Sequence, residues 1–299
     1  MMRDRFGKYG YYYLMLAPAI VLFALFSYVP MYGVIIAFKD YRFIDGIWGS
    51  PWVGLDYFEQ FFHDVFFWRI IRNTLTISGL HLLFGFPAPV VLALLLNELI
   101  HGKFKKFVQS VSYLPHFMSW VILASLLTEI LSPSRGALNY VLTFFGGKPI
   151  HFLADPDTFV GMLVVTHIWQ SVGWGSVVYL AAIAGISQDQ YESATIDGAG
   201  RLQKIMHITL PSLVPIMTIL FILNVGGIMN AGFDQIFNLY NPAVYRVADI
   251  IDTYVYRIGL LETKYGFSSA IGLFKNVIAL ALVMGTNFLV KRFNDYGIW

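Results

Sequence analysis

The chain has 299 residues, of which 57% are hydrophobic, 17% aromatic and only 13% charged, and its mean hydropathy is +0.64. Soluble domains carry about 25% charged residues, so this composition excludes an ordinary soluble protein and indicates an integral membrane protein. The net charge of +2 is too small to argue for nucleic-acid binding, and the lack of cysteine excludes disulfides and thiolate metal sites.

Six runs of the sequence are long and apolar enough to cross a bilayer, for which about 18 or more apolar residues suffice. The predicted spans are residues 11–38, 70–96, 107–131, 158–186, 205–232 and 266–290. The first run follows a basic segment, as in a secretory signal, but it is longer than the roughly 7–15 residues of a signal core. We therefore expect a retained helix, and a single all-α transmembrane domain over residues 1–299.

The connections between the predicted spans differ in charge on the two sides of the membrane. The loops 39–69, 132–157 and 233–265 are rich in Trp, Pro, Gly and Asp. The short connections and termini on the other side hold the basic residues Arg3, Arg5, Lys8, Lys103, Lys105, Lys106, Arg201, Lys204, Lys291 and Arg292. Because positive charge is retained inside, both termini are expected in the cytoplasm.

A polar segment, residues 187–204, separates the fourth and fifth predicted spans. It starts with Ser187-Gln188-Asp189-Gln190, which has the S-x-x-Q form of a capping box, so a helix should begin at Gln188. Gly198 and Gly200 can adopt a positive φ at little cost and would end that helix. We predict a short, rigid helix at about residues 188–199 on the cytoplasmic side, where a partner that grips it moves two spans at once.

This segment resembles the EAA motif of ABC importer permeases. The resemblance is carried by Glu192-Ser193-Ala194, Asp197-Gly198-Ala199 and Ile208-Thr209-Leu210-Pro211. Ser193 replaces the first of two alanines, and Ile205 stands where an aromatic residue is common. Elsewhere, "YLMLAPAIVLFALFSYVPM", "RNTL" and "NPAVYRVADIIDTYVYRIGL" look like the sugar-importer branch, and more narrowly like permeases for complex-polysaccharide fragments.

The resemblance implies a six-span type I ABC importer permease in the bacterial inner membrane, with a coupling helix that docks on an ATPase subunit. The implied ATPase-coupling residues are Glu192, Ser193, Ala194, Asp197, Gly198, Ala199 and Gly200. The implied partners are a second, related permease, two ATPase subunits, an extracytoplasmic solute-binding protein, an oligosaccharide and membrane lipid. The sequence contains no G-x-x-x-x-G-K-[ST] motif. ATP and Mg are therefore expected on the partner ATPases, and this chain is expected to be non-catalytic and without a cofactor or metal of its own.

Polar and aromatic residues in and near the last three spans are candidates for the substrate path, because polar groups inside the membrane face a bundle interior or a watery path. They are Trp169, Gln170, Trp174, Tyr179, Asn224, Asn230, Asp234, Gln235, Lys275 and Asn276. Bundle packing is the alternative for the aromatic residues, and a helix–helix hydrogen bond is the alternative for Asn224 and Asn230.

The sequence does not assign a partner to several of the charged residues. Lys275 lies inside an apolar run and needs a partner, which is either Asp234 or an acidic sugar. Arg69 and Arg72 also favour an acidic cargo, although neutral oligosaccharides remain open. Glu129, His116 and His167 are weaker candidates for the substrate path; the alternative for them is a hydrogen bond in the protein interior. Asp155 and Asp157 are weaker candidates for contact with a solute-binding protein; the alternative for them is a turn exposed to solvent.

Three other classes of protein fit the sequence less well. An ion-coupled secondary transporter would show an inverted repeat with broken helices in both halves, and the sequence shows no such symmetry. A membrane scaffold would leave the polar segment unexplained. A membrane enzyme would need a nucleophile–base set or a metal cluster, and neither is evident.

Overall fold

The computed structural model describes residues 2–293, with side chains from Tyr9 to Arg292. Within that range the chain is helical and forms no strand; an isolated bridge pairs Lys39 with Trp52. The all-α prediction is confirmed. The side chains of Arg3, Arg5 and Lys8, and residues 294–299 of the expected C-terminal tail, lie outside the described residues.

The chain divides into two compact units. The first comprises the residues up to Val65 together with Val255–Phe274, and the second comprises Phe66–Tyr254 together with the residues from Lys275 onward.

The first unit contains the N-terminal helix and a folded loop. Its helices are α1 (Met2–Phe23), which continues through a π-helical turn to a 3-10 segment ending at Phe38, α2 (Gly46–Gly49) and α3 (Asp56–Phe62). In the loop, the buried Lys39 donates from Nζ to the carbonyl oxygens of Ile47 and Trp48, at 2.7 and 3.1 Å. The Tyr57 hydroxyl donates to Asp40; burial, with the charge of Asp40 and this bond, raises the pKa of Tyr57.

The second unit holds most of the helices. In chain order they are α4 (Phe67–Leu80), α5 (Pro87–Asn97), α6 (Gly102–Tyr113), α7 (Trp120–Ile130), α8 (Ala137–Phe144), α9 (Pro156–Ala184), α10 (Gln188–Ile196), α11 (Arg201–Lys204), α12 (Leu210–Gly226), α13 (Phe233–Leu239) and α14 (Tyr245–Ala248). The unit boundaries near Tyr254 and Phe274 fall inside the last two helices, α15 (Ile251–Tyr256) and α16 (Tyr265–Phe293). π-Helical turns continue α4 at His81–Gly85 and link α11 to α12 at Ile205–Thr209.

Within residues 2–293, four continuous helical stretches are long and apolar enough to cross a membrane. They are Tyr9–Phe38, Phe67–Asn97, Arg201–Gly226 and Tyr265–Arg292. The pair Gly102–Phe117 and Trp120–Ile130, bent by 107° at its break, makes a fifth span if it is counted as one. The structure thus supports four to five apolar spans, against the six expected. The 29-residue α9 is not among them because His167, Trp169, Gln170 and Trp174 interrupt the middle of its apolar run and lower its hydropathy.

The long helix α9 lies at the centre of the second unit. Its Phe159 and Leu163 are fully buried, in a cluster with Ile236 and other residues that follow α12. Further along, a Cβ on Gly173 would overlap the backbone carbonyl oxygen of Ser112, and one on Gly175 would lie 2.9 Å from Pro89. Small residues allow helix backbones to approach closely. The glycines of α9 therefore set its contact with α5 and α6.

The sharp bend between α6 and α7 has a local cause. Met118 and Ser119 have extended backbones, which end the helical path, and Ser119 then caps α7 by accepting a hydrogen bond from the Ile122 N–H. The hydropathy of residues 107–131 predicts one straight span, because a pattern of apolar residues does not report such a break.

Candidate functional site

A cavity of about 530 Å³ lies inside the second unit. It is walled by the end of α4 with its π-helical turn, by α5, α9 and α12, and by the turn that follows α12. The side chains and glycines that line it include Ser78, His81, Gly85, Pro89, His167, Ser171, Gly175, Tyr179, Asn224, Gly227, Ala231 and Gly232. None of its described lining residues is Asp, Glu, Lys or Arg, and Leu82, Phe86, Val178, Leu220, Leu223 and Ile228 add apolar surface, so the cavity is largely apolar with a few hydrogen-bonding groups.

Two histidines form the most unusual feature of this cavity. The rings of His81 and His167 stack with their centroids 4.1 Å apart and their planes 11° from parallel. Nε2 of His81 and Oγ of the neighbouring Ser78 are buried and have no hydrogen-bond partner within the described part of the chain. Since buried polar atoms are nearly always paired, these two atoms are available to a solute that enters the cavity.

The turn that closes one wall of the cavity has an unusual backbone. Ala231 and Gly232 have φ values of 47° and 77°. A non-glycine residue in this region is strained, by about 1–3 kcal/mol, and such residues persist only where the surroundings hold them. The preceding residue, Asn230, is held from outside the cavity by a lysine.

Lys275 finds its partners within the second unit. Its Nζ donates to Asp252 at 2.6 Å and to Oδ1 of Asn230 at 2.9 Å. The side chains of Lys275 and Asp252 are 15% and 20% exposed, so the pair is largely shielded from water. Asp234 is exposed and makes no ion pair with Lys275. Within this chain the ionic partner of Lys275 is therefore Asp252, which was not one of the two expected partners, Asp234 and an acidic sugar.

A second ion pair uses one of the arginines that were expected to attract an acidic cargo. Arg69 contacts the fully buried Asp249 at 3.1 Å and lies over the ring of Phe66. Asn73 donates to the carbonyl oxygen of Asp249, and Thr253 to its carboxylate. Arg69 therefore fastens α4 to the segment before α15, whereas Arg72 is exposed.

The remaining substrate-path candidates are spread over several environments. Tyr179 and Asn224 line the cavity, as does His167. Gln235 is buried and donates from Nε2 to the Leu163 carbonyl oxygen and to Thr166 Oγ1, both at 2.8 Å, so it joins α13 to α9. The described candidates outside the cavity lining are Trp169, Gln170, Trp174, Asn230, Asp234, Gln235, Lys275 and Asn276.

Trp174 belongs to an aromatic cluster rather than to the cavity wall. Its ring stacks on His116 at a centroid distance of 5.1 Å, and Phe117 meets it edge-on at 5.4 Å. Half of the indole still remains exposed. This cluster packs α9 against the segment just before the bend between α6 and α7. Trp174 thus makes a packing contact, which was the alternative to a role in the substrate path.

The polar segment forms a short helix with a hydrogen-bonded cap at each end. α10 begins where expected, with Ser187 accepting from the Asp189 N–H. It ends at Ile196, before the expected residue 199, because Gly198 takes a φ of 81°. The Ala199 N–H then bonds the Ala194 carbonyl at 2.8 Å, which closes a Schellman cap.

The second glycine of the segment has a different role from the one expected. Gly200 has a φ of −73° and begins α11, with its N–H bonded to Gln203 Oε1 at 2.7 Å. Two side-chain bonds hold the elbow formed by α10 and α11: Lys204 Nζ to Thr195 Oγ1 at 2.7 Å, and Tyr191 OH with Thr209 Oγ1 at 2.8 Å.

The outer surface of this elbow is exposed and partly apolar. Ile196 and Leu202 are 87% and 72% exposed. Of the predicted coupling residues, Glu192, Ser193, Asp197, Gly198 and Gly200 are exposed and Ala194 and Ala199 are half-buried. Exposed apolar side chains rimmed by polar groups mark interaction surfaces. The structure therefore offers a rigid polar helix with an open face.

Sequence reasoning missed His81, Ser78, Asp249 and Asp252. His81 could have been found from the sequence, since it is a polar residue inside the second predicted span, residues 70–96. Asp249 and Asp252 had no such signal, because they lie within the third predicted loop, residues 233–265, and their partners are remote in the chain.

A bundle of apolar helices around an internal cavity, with a capped and exposed polar helix, is an arrangement typical of a membrane transport subunit. The chain belongs to the family of binding-protein-dependent transport system inner membrane components, whose model matches residues 85–296. The family predicted from the EAA-like motif is thereby confirmed.

Two relatives and two solved structures place the chain more closely. It is 44% identical to Protein LplB of Bacillus subtilis (strain 168), over 96% of this chain and 90% of that protein. It is also 44% identical to the polygalacturonan/rhamnogalacturonan transport system permease protein YteP of the same organism, over 97% and 90%. A chain of a bacterial ABC transporter involved in the import of the acidic polysaccharide alginate is 42% identical, with a TM-score of 0.90 over 97% of this chain and 98% of that one.

The same identity and TM-score hold for a chain of a bacterial alginate ABC transporter in complex with alginate pentasaccharide-bound periplasmic protein, with 99% of both chains covered. The expected fold of a type I ABC importer permease is confirmed by this likeness.

Proposed function

We propose that this chain is the permease subunit of an ATP-driven importer that passes acidic oligosaccharides through the inner membrane. The position and capping of α10 are the main support for this transport mechanism. This exposed helix is capped at both ends and lies in the chain between the long helices α9 and α12. A rigid helix in this position transmits a displacement to two membrane helices. A ligand or partner shifts a conformational equilibrium only through different affinity for its two states. ATPase subunits that grip α10 differently before and after closure supply that difference.

The nucleotide belongs to partners of this chain. The sequence contains no phosphate-binding G-x-x-x-x-G-K-[ST] motif, so ATP and Mg bind on two ATPase subunits, and this subunit is not catalytic. In this proposal Glu192 and Asp197 make the polar docking contacts, Ser193 lies on the same exposed face, Gly198 forms the turn, and Ala194 and Ala199 provide the close fit.

The proposed topology has six spans with both termini in the cytoplasm. The span added to the five apolar ones is α9, which is the fourth in chain order. Its 29 residues extend about 44 Å at 1.5 Å per residue, more than the bilayer core requires. Its lower hydropathy is consistent with its position, because a helix surrounded by protein need not be apolar all round. The basic residues Lys103, Lys105, Lys106, Arg201 and Lys204 then share the cytoplasmic side.

A second, homologous permease completes the path in this proposal. In the apolar stretch Tyr9–Phe38, none of the most apolar 18 residues is buried, which supports a surface that another subunit or lipid covers. An extracytoplasmic binding protein delivers the cargo, as the family description and the alginate transporter complex both support.

The acidic cargo class is supported by two relatives: an ABC transporter involved in the import of the acidic polysaccharide alginate, and a transport system permease for polygalacturonan and rhamnogalacturonan. The cavity offers hydrogen-bonding groups from Ser78, Ser171, Tyr179 and Asn224 and the faces of the stacked histidines. Its described lining contains no carboxylate, so it presents no fixed negative charge to repel an acidic sugar.

The coupling role is tested by a pair of glycine variants. Gly198→Ala places a side chain at φ 81° and should cost about 1–2 kcal/mol at the cap of α10, whereas Gly161→Ala, which lies in α9 with nothing within 4 Å of the new methyl group, should be tolerated. We expect the first variant, and Glu192→Ala, to lose ATPase co-purification or transport-coupled ATP hydrolysis, and the second to keep both. If Gly198→Ala and Glu192→Ala retain full association and coupling, α10 is not the coupling element.

The cargo is tested in vesicles that contain the purified complex and its binding protein. Acidic oligosaccharides should stimulate ATP hydrolysis and uptake more than neutral oligosaccharides of equal length. Asn224→Ala should reduce uptake, while the matched variant Asn238→Ala, outside the cavity lining, should not. Equal stimulation by neutral sugars contradicts the acidic class, and uptake driven by an ion gradient without ATP contradicts the importer itself.

A further inference from the structure

The short helix α8 presents apolar side chains over nearly its whole surface. The exposed residues, with their exposed fractions, are Leu138 (40%), Tyr140 (73%), Val141 (49%), Phe144 (77%) and Phe145 (82%) just beyond its end. Residues 136–147 contain no Asp, Glu, Lys or Arg. A contiguous aromatic and aliphatic surface of this kind, left open to water, marks a site of interaction.

α8 is held firmly at the end of the bent span. The buried Asn139 donates from Nδ2 to the carbonyl oxygens of Leu131 and Ser132, at 3.2 and 3.1 Å, and α7 ends at Ile130. It also exchanges hydrogen bonds with the backbone of Ile150 in both directions, at 2.8 and 3.0 Å. These bonds fix α8 beside the end of the apolar helix α7.

The charges around α8 favour lipid over a protein partner. Exposed cations flank the helix: Arg135 before it, with a long 3.9 Å contact to the exposed Glu129, and Lys148 after it. Basic residues beside an apolar surface are attracted to anionic headgroups. Tyrosine rings at headgroup level are typical of membrane interfaces. Protein interfaces, in contrast, carry a rim of polar groups around their apolar centre. On α8 the Thr143 hydroxyl is already bonded to its own helix at Asn139 and Tyr140.

We propose that α8 is an interfacial helix that lies on lipid, with Phe144 and Phe145 at the boundary between headgroups and acyl chains and with Arg135 and Lys148 against anionic headgroups. It braces the end of the bent span against the membrane surface. This binding surface is independent of the cavity and of α10.

The test uses the natural absence of cysteine in the chain, since any single-cysteine variant can be labelled uniquely. Tyr140→Cys and Phe144→Cys carry a nitroxide in the full transporter, reconstituted in vesicles that contain phosphatidylglycerol. The control is Asp157→Cys, an exposed position at the start of α9 outside the apolar surface. Collision rates with oxygen, which concentrates in lipid, and with a water-soluble nickel chelate are compared by power-saturation spectroscopy.

We expect oxygen to dominate at residues 140 and 144 and the nickel chelate to dominate at residue 157. Nickel access at 140 and 144 equal to that at 157 overturns the proposal, because the helix then faces water. Protection from both reagents also overturns it and assigns the surface to a protein partner.

Discussion

The ion pair between Lys275 and Asp252 provides the sharpest test of the structure. Lys275 lies ten residues after the start of α16, about 15 Å along the helix axis, and its ammonium is bonded to Asp252 and to Asn230. The perturbations are Asp252→Asn, Lys275→Met and the double variant. Each single variant leaves one charge without its ionic partner, whereas the double variant leaves none.

The magnitude follows from the burial of the pair. A lone charge at the centre of a membrane helix costs about 2.5–3.5 kcal/mol on insertion scales, and breaking a fully buried pair costs about 3–5 kcal/mol. The pair retains 15% and 20% exposure, which lowers the cost, so we expect each single variant to lose about 2–3 kcal/mol. We expect the double variant to lose less than the sum of the two by a coupling energy of about 1.5–3 kcal/mol.

The assay is unfolding of the purified chain in nanodiscs, with the four proteins compared as a double-mutant cycle, and uptake measured in parallel. Since Lys275 also holds Asn230 beside the strained turn at Ala231 and Gly232, Lys275→Met should reduce uptake more than Asp252→Asn at equal stability. A coupling energy near zero would show that the two charges act independently and would refute the reasoning.

Two further predictions concern the packing of α9. Gly173→Ala should destabilise the chain by about 1–3 kcal/mol or more, because the new methyl group meets the backbone of Ser112 and cannot be accommodated by a rotamer change; Gly161→Ala on the same helix, with nothing within 4 Å, should be neutral in the same thermal unfolding assay. Gln235→Met should lose about 1–3 kcal/mol, since two buried hydrogen bonds to α9 disappear; an equal loss in Asn238→Ala, whose amide bonds only within its own helix turn, would contradict this assignment.

Local chemistry explains why parts of the fold could be predicted. Apolar runs predict membrane helices because the hydropathy of a run depends only on residues that are neighbours in the chain. The stretches Tyr9–Phe38 and Phe67–Asn97 accordingly lie close to the predicted spans 11–38 and 70–96. The start of α10 was predictable because Ser187 and the residues it caps are adjacent. The 107° break between α6 and α7 was not, since two extended residues within an apolar run leave no mark on hydropathy.

The candidate site depended on contacts between remote parts of the chain. Asp249 pairs with Arg69 across 180 positions, and Gln235 reaches Leu163 across 72. His81 and His167 stack although they belong to different helices. Sequence patterns show that a charge or an amide inside the membrane needs a partner, but many residues meet that need equally well, and packing selects one.

The amino-acid sequence was sufficient for the class of protein, the membrane helices of greatest hydropathy, and the capped helix with its family motif, because each of these depends on neighbouring residues. The cavity, the partner of Lys275 and the central place of α9 arose only when the helices packed, because burial and charge pairing are properties of surfaces that meet in space.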